Sequence, residues 1–347
     1  IKFAFGSKII AHPDNAPINN NSGFHFKNCH DFVIDGIDYD GNISKRVPDG
    51  GDGGHYNAQA GLNFAYCFNV RISNCTLNNC CCDGIFIISN SRCHDFFIEN
   101  CTCEYNYRQA FTMAGDENIH CIHCNFSYTG MAQDDNGNYI YSPNGPWAGV
   151  DIEDGDNSLG FMAIGCSFYH NKGPGFIAAG STRFATFDKC NVIGSISVGN
   201  SSTDTRILNC FIDGDGKRTS ALQGSSIVKN CTFKNVGSLR FDLNGQADTH
   251  YERGKKTPII FENNRLYWEI DNLKFGSGVY PTYPHNYNSY LIYLNRNDVV
   301  FKGNTITDAL GNGSIYCLSG SKRKWGFLEF TNNVFQCSKA LPYGKKI

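Results

Sequence analysis

No stretch of this sequence is apolar for long enough to cross a bilayer as a helix, and Ile1 opens no signal peptide. Charge is scarce as well. Only 18% of the 347 residues are Asp, Glu, Lys or Arg, and the formal net charge is −2. Nothing in that balance draws the chain as a whole to nucleic acid or to an anionic membrane, so neither is expected as a partner. Helix-like periodic runs are few. In their place stand 37 Gly, many Asn and 14% aromatics, a mixture that predicts short strands separated by tight turns. The sequence starts directly on strand-like residues, Ile1-Lys-Phe-Ala-Phe5, and reads as part of a longer chain.

What is abundant is a repeat. The pattern apolar-x-apolar-x-(Asn/Gly)-Cys-x-apolar runs Val70-Arg-Ile-Ser-Asn-Cys75-Thr-Leu77 and again Phe96-Phe-Ile-Glu-Asn-Cys101-Thr-Cys103. It recurs around Cys124, Cys166, Cys190, Cys210 and Cys231, after which Asn264, Asn304 and Asn333 take the anchor position. Phe32 to Tyr39 is an early copy with Ile37 as anchor. Anchors 75, 101, 124, 166, 190, 210 and 231 are separated by 26, 23, 42, 24, 20 and 21 residues. The 42 is one coil plus an inserted loop. A second strand precedes each anchor: Gly61-Leu-Asn-Phe64, Gly84-Ile-Phe-Ile87, Gln109-Ala-Phe-Thr112, Gly149-Val-Asp-Ile152, Gly175-Phe-Ile-Ala178 and Ser195-Ile-Ser-Val198. Period-2 alternation puts the second and fourth residue of each inside. One such coil cannot bury its own inner face, but stacked coils close a continuous core. The fold expected is all-β: a right-handed parallel β-helix of about eleven coils, one domain over 1–347. A leucine-rich repeat lacks support, because its Leu-x-x-Leu-x-Leu pattern and helical segment are missing.

Seventeen cysteines raise disulfides or zinc. The count is odd, Cys121-x-x-Cys124 has no second pair at ligand spacing, and Cys80-Cys81-Cys82 is too crowded for one metal. Many of the others fall on the one repeating anchor position, so the cysteines read as reduced thiols packed as small apolar groups. No cofactor or metal is expected. Four insertions exceed the repeat: 44–60, 128–147, 244–257 and 272–288. The first is Gly/Asp-rich but lacks the spaced ligands and closing Glu of a calcium loop.

Chemistry on a solenoid usually sits on an outward face beneath such loops. On the Gly-x strands the outward residues read as apolar or small, namely Phe86 and Ile88, Phe111 and Met113, Ile177 and Ala179. The coil Gly149-Val-Asp151-Ile-Glu153 breaks this run with two outward acids. Residues i and i+2 on a strand lie roughly 6.5–7 Å apart, which lets two carboxyl groups reach the separations used in glycoside hydrolysis. The expected stacking neighbours are Phe111 and Ile177 for Asp151, and Met113 and Ala179 for Glu153. Such an apolar setting would raise at least one pKa and separate an acid from a base. The preceding coil brings Glu104-Tyr-Asn106-Tyr107-Arg108, with Arg108 expected over Asp83 once Gln109 is aligned with Gly84. Arg108 there either holds a sugar carboxylate or orients an acid, or simply pairs with Asp83 to fix the turn. Tyr139, Tyr141 and Trp147 would make an aromatic wall, and Asp154 and Asp156 suit a turn. The apolar outer wall also suits a face packed on another subunit.

Two stretches resemble a known family. Phe32 to Asn42, ending Asp38-Tyr-Asp40-Gly-Asn42, is similar to the early coils of pectate-lyase-like phage tailspikes. So is the pairing of Asn106-Tyr-Arg108-Gln109 with Gly149-Val-Asp151-Ile-Glu153 across a loop, although Asp154 stands where those proteins often have Pro. The resemblance implies a homotrimeric virion component of the phage tail that degrades or binds bacterial surface polysaccharide outside the cell. On it, Asp151 and Glu153 are the expected catalytic pair, with Arg108, Asn106, Tyr107, Glu104, Trp147 and Asp83 as substrate contacts. The ordered signatures of polygalacturonases, pectate lyases and alginate epimerases are not found. Three activities remain open: an endo-glycosidase of capsule or O-antigen, a polysaccharide lyase with Tyr107 as base, and a non-catalytic receptor-binding fibre.

Overall fold

The computed structural model describes residues 1–4, 6–12, 23–46, 60–87, 92–142, 145–153, 158–179, 181–199, 202–216, 218–242, 258–269, 290–295, 299–308, 314–317 and 328–337. Three long parallel sheets of 12, 11 and 11 strands run the length of the molecule, and each strand pairs with the one three strands later in sequence once an inserted two-stranded hairpin is left out of the count. This is a right-handed parallel β-helix of about eleven coils, as the repeat predicts. Most strands are only three to six residues long, and alternate residues point inward. The inward rows form one continuous core that includes stacked phenylalanines, such as Phe176 on Phe187 at 3.7 Å and Phe261 on Phe301 at 4.7 Å.

The Asn/Gly slot before each anchor has a backbone cause. Asn74, Asn100, Asn209, Asn230 and Asn263 all sit at φ of 54–56°, and Gly165 and Gly303 occupy the same slot at 61° and 65°. That left-handed conformation turns the chain from one sheet to the next, and Asn and Gly tolerate it best. His123 and Lys189 fill the slot in two coils and adopt it too.

The anchor then binds the coil below. Cys166, Cys190, Cys210 and Cys231 point their thiols at carbonyls of the preceding coil, at 3.4–3.5 Å. Where Asn replaces Cys, the side-chain amide makes the same bond better. Asn264, Asn304 and Asn333 donate to the carbonyls of Val228, Phe261 and Phe301 at 3.0, 2.9 and 2.7 Å. Their carbonyl oxygens also accept the backbone N–H of the previous anchor, at 2.8–2.9 Å. The fifteen cysteines whose side chains are described are all free, and fourteen of them are buried.

Insertions 244–257 and 272–288 lie outside the described residues, as do 47–59 of the first insertion. Insertion 128–147 carries a two-stranded antiparallel hairpin, Ala132–Gln133 with Tyr139–Ile140. It folds back toward earlier coils, where Ala132 joins Ile43 and Cys81 in a small apolar cluster. An ion pair between Asp135 and Lys45 ties its tip to the short 3-10 turn Ile43–Lys45.

Asn304 is wholly buried and satisfies polar groups on both sides of its coil. Replacing it with Leu leaves the Phe261 carbonyl and the Asn264 N–H unpaired, at a cost of about 1–3 kcal/mol for each such group. Asn304→Leu should therefore lower the urea midpoint by the equivalent of about 2–4 kcal/mol. An unchanged midpoint would show that the ladder is dispensable.

Candidate active site

Strand Val150–Ile152 lies between Phe111–Met113 and Phe176–Ala178 in the sheet built from the Gly-x strands. Val150 and Ile152 are buried in the core, so Asp151 and Glu153 share the outward face as expected. The neighbours differ from the expectation by one residue. Phe111 pairs with Val150 and with Ile85, which puts its ring inside; Thr112 stands level with Asp151. Met113 is likewise inside, level with Ile152, and Ala110 rather than Gln109 follows the Gly84 and Gly149 row. The outward row through Asp151 is therefore Asn63, Phe86, Thr112, Asp151 and Ile177. All five are buried.

A polar network runs across these coils. Arg108 makes a two-pronged bond to Asp83, Nε to Oδ1 at 2.9 Å and an NH2 group to Oδ2 at 2.8 Å. The same terminal nitrogen lies 3.3 Å from Oε1 of Glu153. The Gln109 backbone N–H donates to Asp83 at 3.1 Å, and its side-chain amide donates to Oδ2 of Asp151 at 2.9 Å. The Asp83 side chain is fully buried and that of Arg108 is 10% exposed, whereas the Glu153 side chain is 31% exposed. The Arg108 guanidinium also lies 5.4 Å from the centre of the Phe86 ring.

These surroundings treat the two acids differently. Asp151 is 5% exposed, and burial, reinforced by the nearby Glu153 charge, pushes its carboxyl up to about 8 against the pull of Arg108 and Gln109. At neutral pH it holds its proton. Glu153 faces Arg108 and water, the setting of a carboxylate. A buried acid that keeps its proton and a second carboxyl two residues along the same strand can together donate and accept protons at a single bound group.

The other expected contacts scatter. Asn106 is corrected: it is wholly buried, accepting from the Cys80 N–H at 2.9 Å and donating to the Leu77 carbonyl at 3.2 Å. An Asn beside a corner was read as surface, but here it satisfies an inner turn. Asp83 is corrected in the same sense, since its carboxylate is sealed beneath Arg108 and reaches no surface. Glu104 belongs to a different sheet, where it accepts from Asn125 at 2.6 Å. Tyr107 packs against the Ile43–Cys81–Ala132 cluster. Trp147 is half-buried, at φ 50°, and donates from its indole to the Ser142 carbonyl at 2.7 Å. Tyr141 meets it edge-on at 5.8 Å, and the Lys172 ammonium lies over both rings, 4.4 Å from the Trp147 centre. Gly145 fits between Trp147 and the stem of Arg108, which brings this aromatic pair to the edge of the acid network. Exposed Tyr139 lies in the inserted hairpin, and Asp154 and Asp156 are outside the described residues. Gln109 was missed as a functional residue, although its place directly after Arg108 was the available signal.

Among the described residues no group of three or more His, Cys, Asp or Glu could hold a metal ion, and no helix is long and apolar enough to cross a membrane. No protein-family model matches the chain, and no curated protein matches its sequence. Solved structures do match. The chain is similar to endo-xylogalacturonan hydrolase from Aspergillus tubingensis, with a TM-score of 0.51 and 11% identity over 92% of this chain and 91% of that one. It is also similar to DFA-IIIase from Arthrobacter chlorophenolicus A6 without its lid, with a TM-score of 0.42 and 11% identity over 92% and 89%. A third match is the mannuronan C-5 epimerase AlgE6 A-module of Azotobacter vinelandii, with a TM-score of 0.42 and 12% identity over 96% and 88%. At such identities the likeness is one of fold: the chain has the parallel β-helix architecture.

The raised pKa of Asp151 carries a stability signature. Below its ordinary 3.8 the residue is neutral whether the chain is folded or not, and its contribution is fully present. From there up to about 8 the unfolded chain gives up the proton while the folded chain keeps it, so that contribution is progressively lost. Asp151→Asn removes the dependence. The melting temperature of the variant should rise relative to that of the native protein between pH 4 and 8 and run parallel above. A constant difference would mean that Asp151 titrates normally.

Proposed function

We propose that this chain is an endo-acting glycoside hydrolase of bacterial surface polysaccharide, capsule or O-antigen, working as part of a phage tailspike. The observation that carries the reading is the placement of Asp151 and Glu153 on one strand, the first buried with its carboxyl pushed up to about 8, the second partly open to water beside Arg108. In this scheme Asp151 gives its proton to the glycosidic oxygen as the bond to the anomeric carbon breaks and the electron pair leaves with that oxygen. Glu153 either takes a proton from the water that attacks the anomeric carbon or attacks that carbon itself. Arg108 steadies the Glu153 carboxylate, and Trp147 with Tyr141 offers an aromatic flank for a sugar ring. The lyase alternative is less well supported, because Tyr107, the base it would use, sits in an apolar cluster.

Assembly as a homotrimer is part of the same proposal. Supporting it, a second sheet carries an outward row that includes Val33, Phe97, Met162, Ile227, Ile260 and Val300. All six are half-buried or exposed in the single chain; Arg71, His120, Thr186 and Arg206 stand between the first four, and Ile227, Ile260 and Val300 are consecutive. The apolar members are what a subunit contact would cover. Met162→Asp should shift the mass measured by light scattering from three chains toward one, and an unchanged mass would remove this face from the contact.

Catalysis is tested on a panel of purified capsules and O-antigens by sizing the products. Asp151→Asn and Glu153→Gln should each slow depolymerisation about 10²–10⁴-fold. Turnover by the native protein should fall as pH rises through about 8, where Asp151 loses its proton. Full activity in both folded variants would disprove the assignment. Products absorbing in the near ultraviolet would favour a lyase, and binding without cleavage a receptor-binding fibre.

A further inference from the structure

We propose that Asp83 and Gln109 are positioning residues that divide the labour of the acid pair: Asp83 fixes the dipeptide Arg108–Gln109, so that a cation reaches Glu153 and a neutral amide reaches Asp151. The inference rests on the glycosidase reading above and assigns to that site two residues that need not touch the polysaccharide.

The geometry converges on one carboxylate. Asp83 takes two hydrogen bonds from the Arg108 guanidinium and one from the Gln109 backbone N–H, besides a long one from the adjacent Cys82 thiol. Successive residues are thereby held by a single buried group one coil away. Their side chains then part: Arg108 reaches Glu153 at 3.3 Å and Gln109 reaches Asp151 at 2.9 Å. Gln109 is wholly buried, and its carbonyl oxygen has no hydrogen-bond partner among the described residues. Its bond to Asp151 is thus the side-chain hydrogen bond that orients it.

The choice of donor matters. An ammonium or guanidinium beside Asp151 would favour the anion and strip it of its proton at neutral pH. An amide N–H can donate to either form of the acid; it bonds the carboxylate more strongly, but favours the anion far less than a cation in its place would. Gln109 therefore holds Asp151 in place on both sides of a proton transfer, with Oδ2 accepting and Oδ1 left to carry the proton. Asp83 acts from further away. Its negative charge opposes the Arg108 field and disfavours ionisation of Asp151.

Opposite shifts distinguish this division from simple damage. Titration of the Asp151 carboxyl by carbon-13 NMR, assigned with Asp151→Asn, should show a midpoint near 8 in the native chain. Asp83→Asn frees Arg108 and removes a negative charge, so the midpoint should fall by about one unit, tenfold in proton affinity. Gln109→Leu removes a donor, so the midpoint should rise by a similar amount, and the alkaline limb of kcat should move up with it. Gln109→Leu deletes one neutral bond only, and its upward shift is required even if Asp83→Asn does not fold. Shifts of the same sign, or a Gln109→Leu midpoint within about 0.3 unit of the native one, would overturn the proposal. The titration needs no turnover. A chain that cuts no polysaccharide but shows both shifts refutes the activity and not the division, whereas a cutting enzyme with unmoved midpoints refutes the division alone.

Discussion

Everything in this molecule depends on the in-register stacking of coils, about 4.8 Å apart, by parallel backbone hydrogen bonds. Each side chain meets the residue in the same place one coil above and one coil below. An apolar residue is therefore cheap to bury and a polar one must find its partner along the same row. The Phe stacks and the Cys-to-Asn anchor row are both answers to that condition. Cys makes weak bonds to a carbonyl and otherwise packs as a small apolar group. Asn both donates and accepts, so it joins two coils at once, and it takes over in the last coils, from Asn264 onward.

The same condition gives the candidate site its character. A carboxyl on an outward row would ordinarily be solvated. Asp151 is not, because Thr112 and Ile177 flank it and the row from Asn63 to Ile177 is buried. Two residues further along the strand the cover ends, and Glu153 is partly open to water. The strand thus crosses from a dry to a wet setting within the space of one acid pair. That gradient comes from the architecture, and the paired acids make use of it.

The repeat made the fold legible because it is local: the left-handed Asn or Gly, the anchor and the alternating strand all recur within one coil. What local pattern could not supply was register at an ambiguous strand. In Ala110-Phe-Thr-Met113 every residue is small, apolar or neutral, so alternation alone admits both phases. Pairing of Phe111 with Ile85 and Val150 settles it, since the large ring fills the core and Thr112 turns out beside Asp151. The substrate contacts were overread for a related reason. Asn106 and Asp83 are polar and lie in turns, which in an isolated chain means surface. In a solenoid some corners face inward, and there a polar side chain closes the backbone bonds that the turn leaves open.

The electrostatics of the site then follow from counting charges in a small buried volume. Arg108 supplies the one cation of the network, against three carboxyl groups. Its two-pronged bond to Asp83 is the strongest geometry available to it and lies deepest, where an unpaired charge would be least tolerable. Its pull on Asp151 remains but does not overcome burial. Glu153 is nearer to water and keeps the remaining Arg108 contact. Asp151, dry and facing an amide, is the group for which staying neutral is cheapest. The proton therefore resides on Asp151 because three acids share one arginine and only two of them have either a full ion pair or water.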